Sequence, residues 1–317
     1  MSNSFPFDRP IGAERSATRL TAAKPLMKWA TWLLIGHLVA LMFGLAGLLI
    51  AIPNPELWVD SSYGPRAYEF GMKYAGATHI LFGAAAMLVY GMAVIGPRKT
   101  GIFFACATII SFFSELIGTS TGEPFGNYHY TNFLGYKLFD HVPFSIPLSW
   151  FYVGFATFLI GYALAGMLLL TPKSLFAVIF GAWLLTVWDL VLDPAMAHES
   201  LGVKFWTWSE TGPYFGMPGQ NFLGWALTAV LFMSVARFLW MASPPADGRS
   251  LRIWFPVAVY ILNIVFASAL SASVDLWLPI VFAVVLGAVP ALAALAALVL
   301  LRRSPVPGNG APGTAGA

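Results

Sequence analysis

About eight stretches of this chain, residues 29–52, 74–95, 101–117, 148–170, 174–192, 220–241, 253–271 and 276–301, are dominated by Leu, Ala, Val, Ile and Phe. A hydrocarbon core about 30 Å thick needs roughly 20 consecutive apolar residues for one helical crossing. Each run is close to that length. Backbone N–H and C=O groups inside lipid must be satisfied within the span, so runs of this kind fold as helices. The chain is 58% hydrophobic and only 10% charged, against about 25% charged in soluble domains. The expected fold is all-α, a polytopic transmembrane helix bundle.

Lys and Arg set the expected orientation. With the N-terminus cytoplasmic and eight spans, only Arg66, Lys73, Lys137 and Lys204 fall on the outer side; the other Lys and Arg face inward, and both termini are cytoplasmic. The net charge of +3 then reflects topology. No basic patch interleaved with aromatic residues points to nucleic acid. Residues 1–28 carry both charge signs and no small-residue cleavage pattern, which favours a cytoplasmic tail leading into a retained first helix over a signal peptide. Residues 302–317, rich in Gly, Pro and Ala, read as a disordered C-terminal tail after a bundle of 29–301. The single cysteine, Cys106, excludes an intramolecular disulfide and a cysteine metal cluster, and is expected to pack inside the third helix.

Connections on the inner side are mostly short, whereas the outer segments 53–73, 118–147 and 193–219 hold most of the acidic, aromatic and glycine residues. Long, chemically rich loops on a rigid scaffold are where function concentrates. The second and third are expected to be the functional loops. They also look alike: ELIGTSTGEPFGNYHYTNFLG on one side and WDLVLDP with WTWSETGPYFGMPGQNFLGW on the other both run from a membrane carboxylate followed by Leu to Asn-Phe-Leu-Gly. This suggests an internal repeat of helix, loop and helix, with chance similarity of Gly-rich, aromatic loops as the alternative.

Glu115 and Asp189 sit inside apolar spans, each about 20 Å along its helix at 1.5 Å per residue, toward the outer face. An ionisable side chain in a span is costly and usually faces the bundle interior, where it serves a site or binds a neighbouring helix. A poorly solvated carboxylic acid favours its neutral form, as a general acid requires. Asp193 follows Asp189 by one helical turn, so the two share a face until Pro194 ends or bends the helix. Neighbouring carboxyls resist ionising together, which can leave one as acid and the other as base; the same pair can bind a divalent metal.

The histidines, at 37, 79, 129, 141 and 198, never fall three or four apart, which argues against the histidine boxes of membrane di-iron enzymes. His79 and His129 are candidates to join the carboxylates, with a purely structural role as the alternative. His37 lies deeper and is expected to pack locally. Aromatic residues gather at the outer ends, among them Phe125, Tyr128, Tyr130, Trp150, Trp188 and Trp206. Such residues form interfacial belts without any catalytic task, yet aromatic faces also attract cations. Asn127 and Asn221 add uncharged polar groups. Together these residues read as a polar, aromatic roof over an apolar pocket suited to a greasy substrate with one reactive end.

The runs ELIGTSTGEPFGNYHYTNFLG, VPFSIPLSW, WDLVLDP and YFGMPGQNFLGW resemble the CruF-type membrane carotenoid hydratases over about residues 75–240. The resemblance implies a multi-pass protein of the bacterial plasma membrane. It implies addition of water across the terminal 1,2 double bond of an acyclic ψ end group, as in γ-carotene, lycopene or bisanhydrobacterioruberin, giving a tertiary alcohol. Substrate carotenoid, water and membrane lipid are then the partners, and association with other carotenoid-biosynthesis enzymes is compatible with it. The chemistry needs a proton, a tertiary cation and water, with neither cofactor nor metal. Asp189 or Glu115 is expected to give the proton, Asp193 or the remaining acid to orient and deprotonate water, and the aromatic residues to shield the cation. His79, Phe125, Asn127, Tyr128, His129, Tyr130, Trp150, Trp188, Trp206 and Asn221 are the expected substrate contacts.

Three rivals stay open on the residues alone. The DxxxD spacing of Asp189 and Asp193 fits an intramembrane prenyltransferase, although no second acidic motif and few outer cations accompany it. A carotenoid cyclase or isomerase also protonates an end group. A transporter or binding protein for lipids or isoprenoids would use membrane acids as proton relays, but here the acids gather near one face rather than at the midplane.

Overall fold

The computed structural model describes residues 11–170, 172–240 and 252–303. Its helices are α1 (Ile11–Ala46), α2 (Gly64–Val94), α3 (Pro97–Thr121), α4 (Ser145–Met167), α5 (Lys173–Met196), α6 (Gly219–Leu239), α7 (Trp254–Ser273), α8 (Trp277–Phe282) and α9 (Val289–Arg303). A π-helical turn, Gly47–Ala51, extends α1, and a second, Ala283–Ala288, joins α8 to α9. Among the described residues eight segments are long and apolar enough to cross a membrane, so the chain is an all-α, multi-pass membrane protein.

Two boundaries differ from the sequence expectation. The segment read as an N-terminal tail is helical from Ile11, with the membrane-crossing part starting at Lys24. The second span begins at Gly64, ten residues before 74, because Arg66, Glu69 and Lys73 interrupt the apolar run without interrupting the helix. Residues 304–317, most of the expected C-terminal tail, lie outside the described residues.

Helix α4 is the axis of the bundle. In its apolar window 89% of residues are buried, against 22% in the first span, as expected of a helix that is hydrophobic all round. The peripheral helices turn large apolar side chains outward, including Trp32 and Met42 on α1, Phe113 on α3 and Leu227 on α6. No apolar driving force separates lipid from helix in a bilayer, so close packing carries the bundle. At the α4/α5 crossing an added Cβ at Gly181 would stand 2.9 Å from Phe158 Cα, and one at Gly161 would stand 3.1 Å from the Ala177 carbonyl oxygen. Gly181→Val is therefore expected to force the two helices apart. An overpacking cost of about 1–3 kcal/mol should appear as a lower unfolding midpoint of the protein in detergent, and an unchanged midpoint would contradict this account of the crossing.

The long connections meet at one end of the bundle. Strand β1 (Tyr128–Tyr130), from the α3–α4 connection, pairs antiparallel with β4 (Trp206–Trp208), from the α5–α6 connection, in the register Tyr128 to Trp208, His129 to Thr207 and Tyr130 to Trp206. A small hairpin, β2 (Lys137–Leu138) with β3 (Val142–Pro143), completes this layer. The two segments that look alike in sequence thus join into one roof.

Candidate active site

Helix α3 brings Glu115 to the roof and then stops. Gly122 takes a left-handed conformation, φ 85°, and its N–H closes on the Gly118 carbonyl at 2.8 Å, the usual glycine-terminated helix end. The reversed chain wedges the Phe125 ring between α3 and α6. A Cβ at either Gly118 or Gly224 would come within 2.6 Å of that ring, so both glycines are needed for the wedge to seat.

Strand alternation then decides which roof residues look inward. Tyr128 and Tyr130 are buried and both donate from their hydroxyls to Glu115 Oε2, Tyr130 at 2.8 Å; Trp150 Nε1, from α4, donates to Glu115 Oε1 at 2.8 Å. Burial first, and then the neighbouring carboxyl, pushes both phenols well above their ordinary range, so they remain donors across physiological pH.

Helix α5 supplies the other two acids. It continues through Pro194 to Met196, which keeps Asp189 and Asp193 on one face. Proline has no N–H to close on the carbonyl one turn back. That carbonyl, Leu190 O, instead accepts from the Tyr214 hydroxyl at 3.1 Å, which ties the α5–α6 connection to the helix it covers. Trp206 Nε1 donates to Asp193 Oδ1. Asn221 Nδ2, in the first turn of α6, donates to Asp193 Oδ2 at 2.6 Å and to Asp189 Oδ2 at 2.9 Å.

The three carboxyls differ in how fully they are held. Both oxygens of Glu115 and of Asp193 accept hydrogen bonds. Asp189 accepts one, leaving an oxygen with no hydrogen-bond partner among the described residues. Trp188 Nε1, on the preceding residue, and Trp208 Nε1 are buried donors with no hydrogen-bond partner among the described residues. Among the described residues no three His, Cys, Asp or Glu are grouped to hold a metal ion.

All three acids line one cavity, with an empty volume of about 720 Å³. His79, Phe125, Tyr128, Tyr130, Trp150, Trp188, Trp206 and Asn221 line it too. Trp150 stacks on Trp225, ring centroids 3.9 Å apart, and Trp188 meets Trp225 edge-on at 5.8 Å. Two expected members lie elsewhere. Asn127 is exposed and donates to Glu210 Oε1 at 3.0 Å, and His129, the middle residue of β1, faces outward, where its Nε2 meets Thr207 Oγ1 at 2.6 Å.

Sequence reasoning missed the cavity floor. Tyr152 on α4 donates to Asn263 Oδ1 on α7 at 2.7 Å, and Asn263 Nδ2 reaches His37 Nε2 at 3.2 Å. His37 in turn donates from Nδ1 to the His79 carbonyl at 2.7 Å, so it links α1 to α2 and α7 rather than packing locally. Asn263 is the lone Asn of the apolar run forming α7, and that isolation was the available signal.

The two stretches that look alike share one hydrogen-bond spacing. Glu115 pairs with the aromatic side chain of Tyr128, thirteen residues on, and Asp193 pairs with Trp206, also thirteen residues on. The counterpart of Glu115 in hydrogen bonding is therefore Asp193, whereas a following Leu had matched Glu115 to Asp189.

The chain is thus a helical membrane bundle whose paired loops roof a cavity lined by three buried acids and aromatic rings. A family model described as "Carotenoid biosynthesis protein" matches residues 75–290, and the chain belongs to that family. It is also similar to the bisanhydrobacterioruberin hydratase of Haloarcula japonica, with 30% identity over 195 residues, 60% of each chain. The aligned part thus spans 60% of that relative's length. No solved structure matches the chain. Every acid and aromatic residue of the cavity falls inside the matched residues.

Proposed function

We propose that this protein is a carotenoid hydratase, adding water across the terminal 1,2 double bond of an acyclic ψ end group to give a tertiary alcohol. The observation that carries the reading is the unequal holding of the three acids. A carboxyl whose oxygens are filled by N–H and O–H donors is stabilised as an anion, while one with an open oxygen is suited to carry and release a proton. Asp189 is accordingly the proton donor. Its proton goes to C2 of the alkene, the π pair forms the C2–H bond, and C1 becomes a tertiary cation.

The stacked Trp150 and Trp225, with Trp188 edge-on, present aromatic faces to that cation. Water, held by Trp188 Nε1, bonds through oxygen to C1 and yields its extra proton to Asp193. Transfer of that proton from Asp193 to Asp189, both hydrogen-bonded to Asn221, resets the site. Glu115, gripped by Tyr128, Tyr130 and Trp150, acts as a fixed negative charge that favours the cation. The relative's printed activity supports the same class of reaction.

The test is expression in a host that makes lycopene or γ-carotene, with mass measurement of the pigments. A product heavier by one water is expected. Pigment of unchanged mass would replace the hydratase reading with cyclisation or isomerisation.

A further inference from the structure

We propose that the apolar groove between the end of α1 and the first half of α2 binds the polyene chain of the substrate and feeds its open-chain end laterally to the acids. This rests on the carotenoid reading above, which gives the reaction but not where the long polyene chain would lie.

The groove has an empty volume of about 1300 Å³, including the space at its mouth. Three residues, His79, Met196 and Phe266, line both this groove and the acid cavity, so the two spaces adjoin at that waist. His79 and Phe266 face one another there, ring centroids 5.5 Å apart. Toward lipid, the groove ends at Phe43, Ile50 and Leu57, all more than half exposed. A hydrocarbon dissolved in the bilayer therefore has a route with no polar barrier before the waist.

The wall is built to stay open. An added Cβ at Gly71 would meet only Phe43, at 3.8 Å, and one at Gly44 only Phe266, at 3.8 Å. Neither glycine is required by helix contact, in contrast with Gly181 and Gly161. Both line the groove, and a larger side chain at either would take up its space. The π turn Gly47–Ala51 lies in the same wall; such turns recur at functional sites.

A competing occupant is the acyl chain of a membrane lipid, and the experiment separates the two. Lycopene retained by purified protein is read by visible absorbance in an Asp189→Asn background, where turnover does not consume it. Gly71→Leu and Gly44→Leu are expected to cut retention at least tenfold, and Gly71→Ala to cut it far less. Both Leu variants should keep the wild-type unfolding midpoint in detergent, which shows that they are folded, because an added Cβ at either position meets only one ring at 3.8 Å. Undiminished lycopene retention in both Leu variants would overturn the proposal, as would native mass spectra showing a phospholipid that excess lycopene does not displace. The readouts are independent of product identity: an unchanged pigment mass would sink the hydratase reading and leave the groove intact, whereas undiminished retention would sink the groove alone.

Discussion

Asp189→Asn is expected to abolish hydrated carotenoid, lowering the rate by about 10²–10⁴-fold, the usual contribution of a positioned general acid. The amide has nearly the volume of the acid and can still accept the hydrogen bond from Asn221 Nδ2. Its fold and membrane insertion should therefore persist. What it lacks is a proton to give. Glu115→Gln is expected to be milder, because the amide oxygen still accepts from Tyr128 and Tyr130, although Trp150 Nε1 loses its acceptor and the fixed charge facing the cation is lost. Pigment mass in membranes holding equal amounts of each protein is the measurement. An Asp189→Asn protein with more than half of wild-type product would remove Asp189 from the role, and the reverse ranking of the two variants would transfer it to Glu115.

The acids were legible in the sequence for a plain physical reason: charge is so disfavoured in an apolar span that Glu115, Asp189 and Asp193 stand out without any structure. The span count was legible because bilayer thickness fixes helix length. What sequence could not supply was parity. Tyr128 and Tyr130 face the acids and His129 does not, and this follows from the pairing of β1 with β4 across 78 residues, His129 to Thr207. Until that register is known, three neighbouring polar residues are indistinguishable.

Asn127 misled for a similar reason, since its side chain is used by Glu210 on the outside of the roof. Pro194 misled in the other direction. A proline near a helix end normally stops it, but the Tyr214 hydroxyl takes over the freed carbonyl, and the helix runs on far enough to keep Asp193 aligned with Asp189. Hydrogen bonding likewise changes which residues of the two look-alike stretches correspond, since the shared Leu aligns Glu115 with Asp189 and the shared aromatic donors align it with Asp193.

Asn221→Leu tests whether the two aspartates work as a pair. The single amide nitrogen of Asn221 spends its two hydrogens on Asp189 at 2.9 Å and Asp193 at 2.6 Å, so it fixes the donor and the base relative to each other. Leu fills nearly the same space and offers neither hydrogen. Two buried carboxyl oxygens then lose their donor, at about 1–3 kcal/mol for an unsatisfied buried group, and a lower unfolding midpoint should follow. Loss of alignment adds to this at the reacting atoms, where a displacement of about 1 Å can cost 10²-fold. Hydration should therefore fall by on the order of 10²-fold at saturating substrate, with lycopene retention close to wild type, since Asn221 does not line the apolar groove. A purely structural role for Asn221 predicts a different pattern, in which the midpoint falls and the turnover of the folded fraction does not. Asn221→Gln, which keeps both donors on a longer stem, should recover part of the rate, and equal activity in the Leu and Gln variants would show that the aspartates need no shared donor.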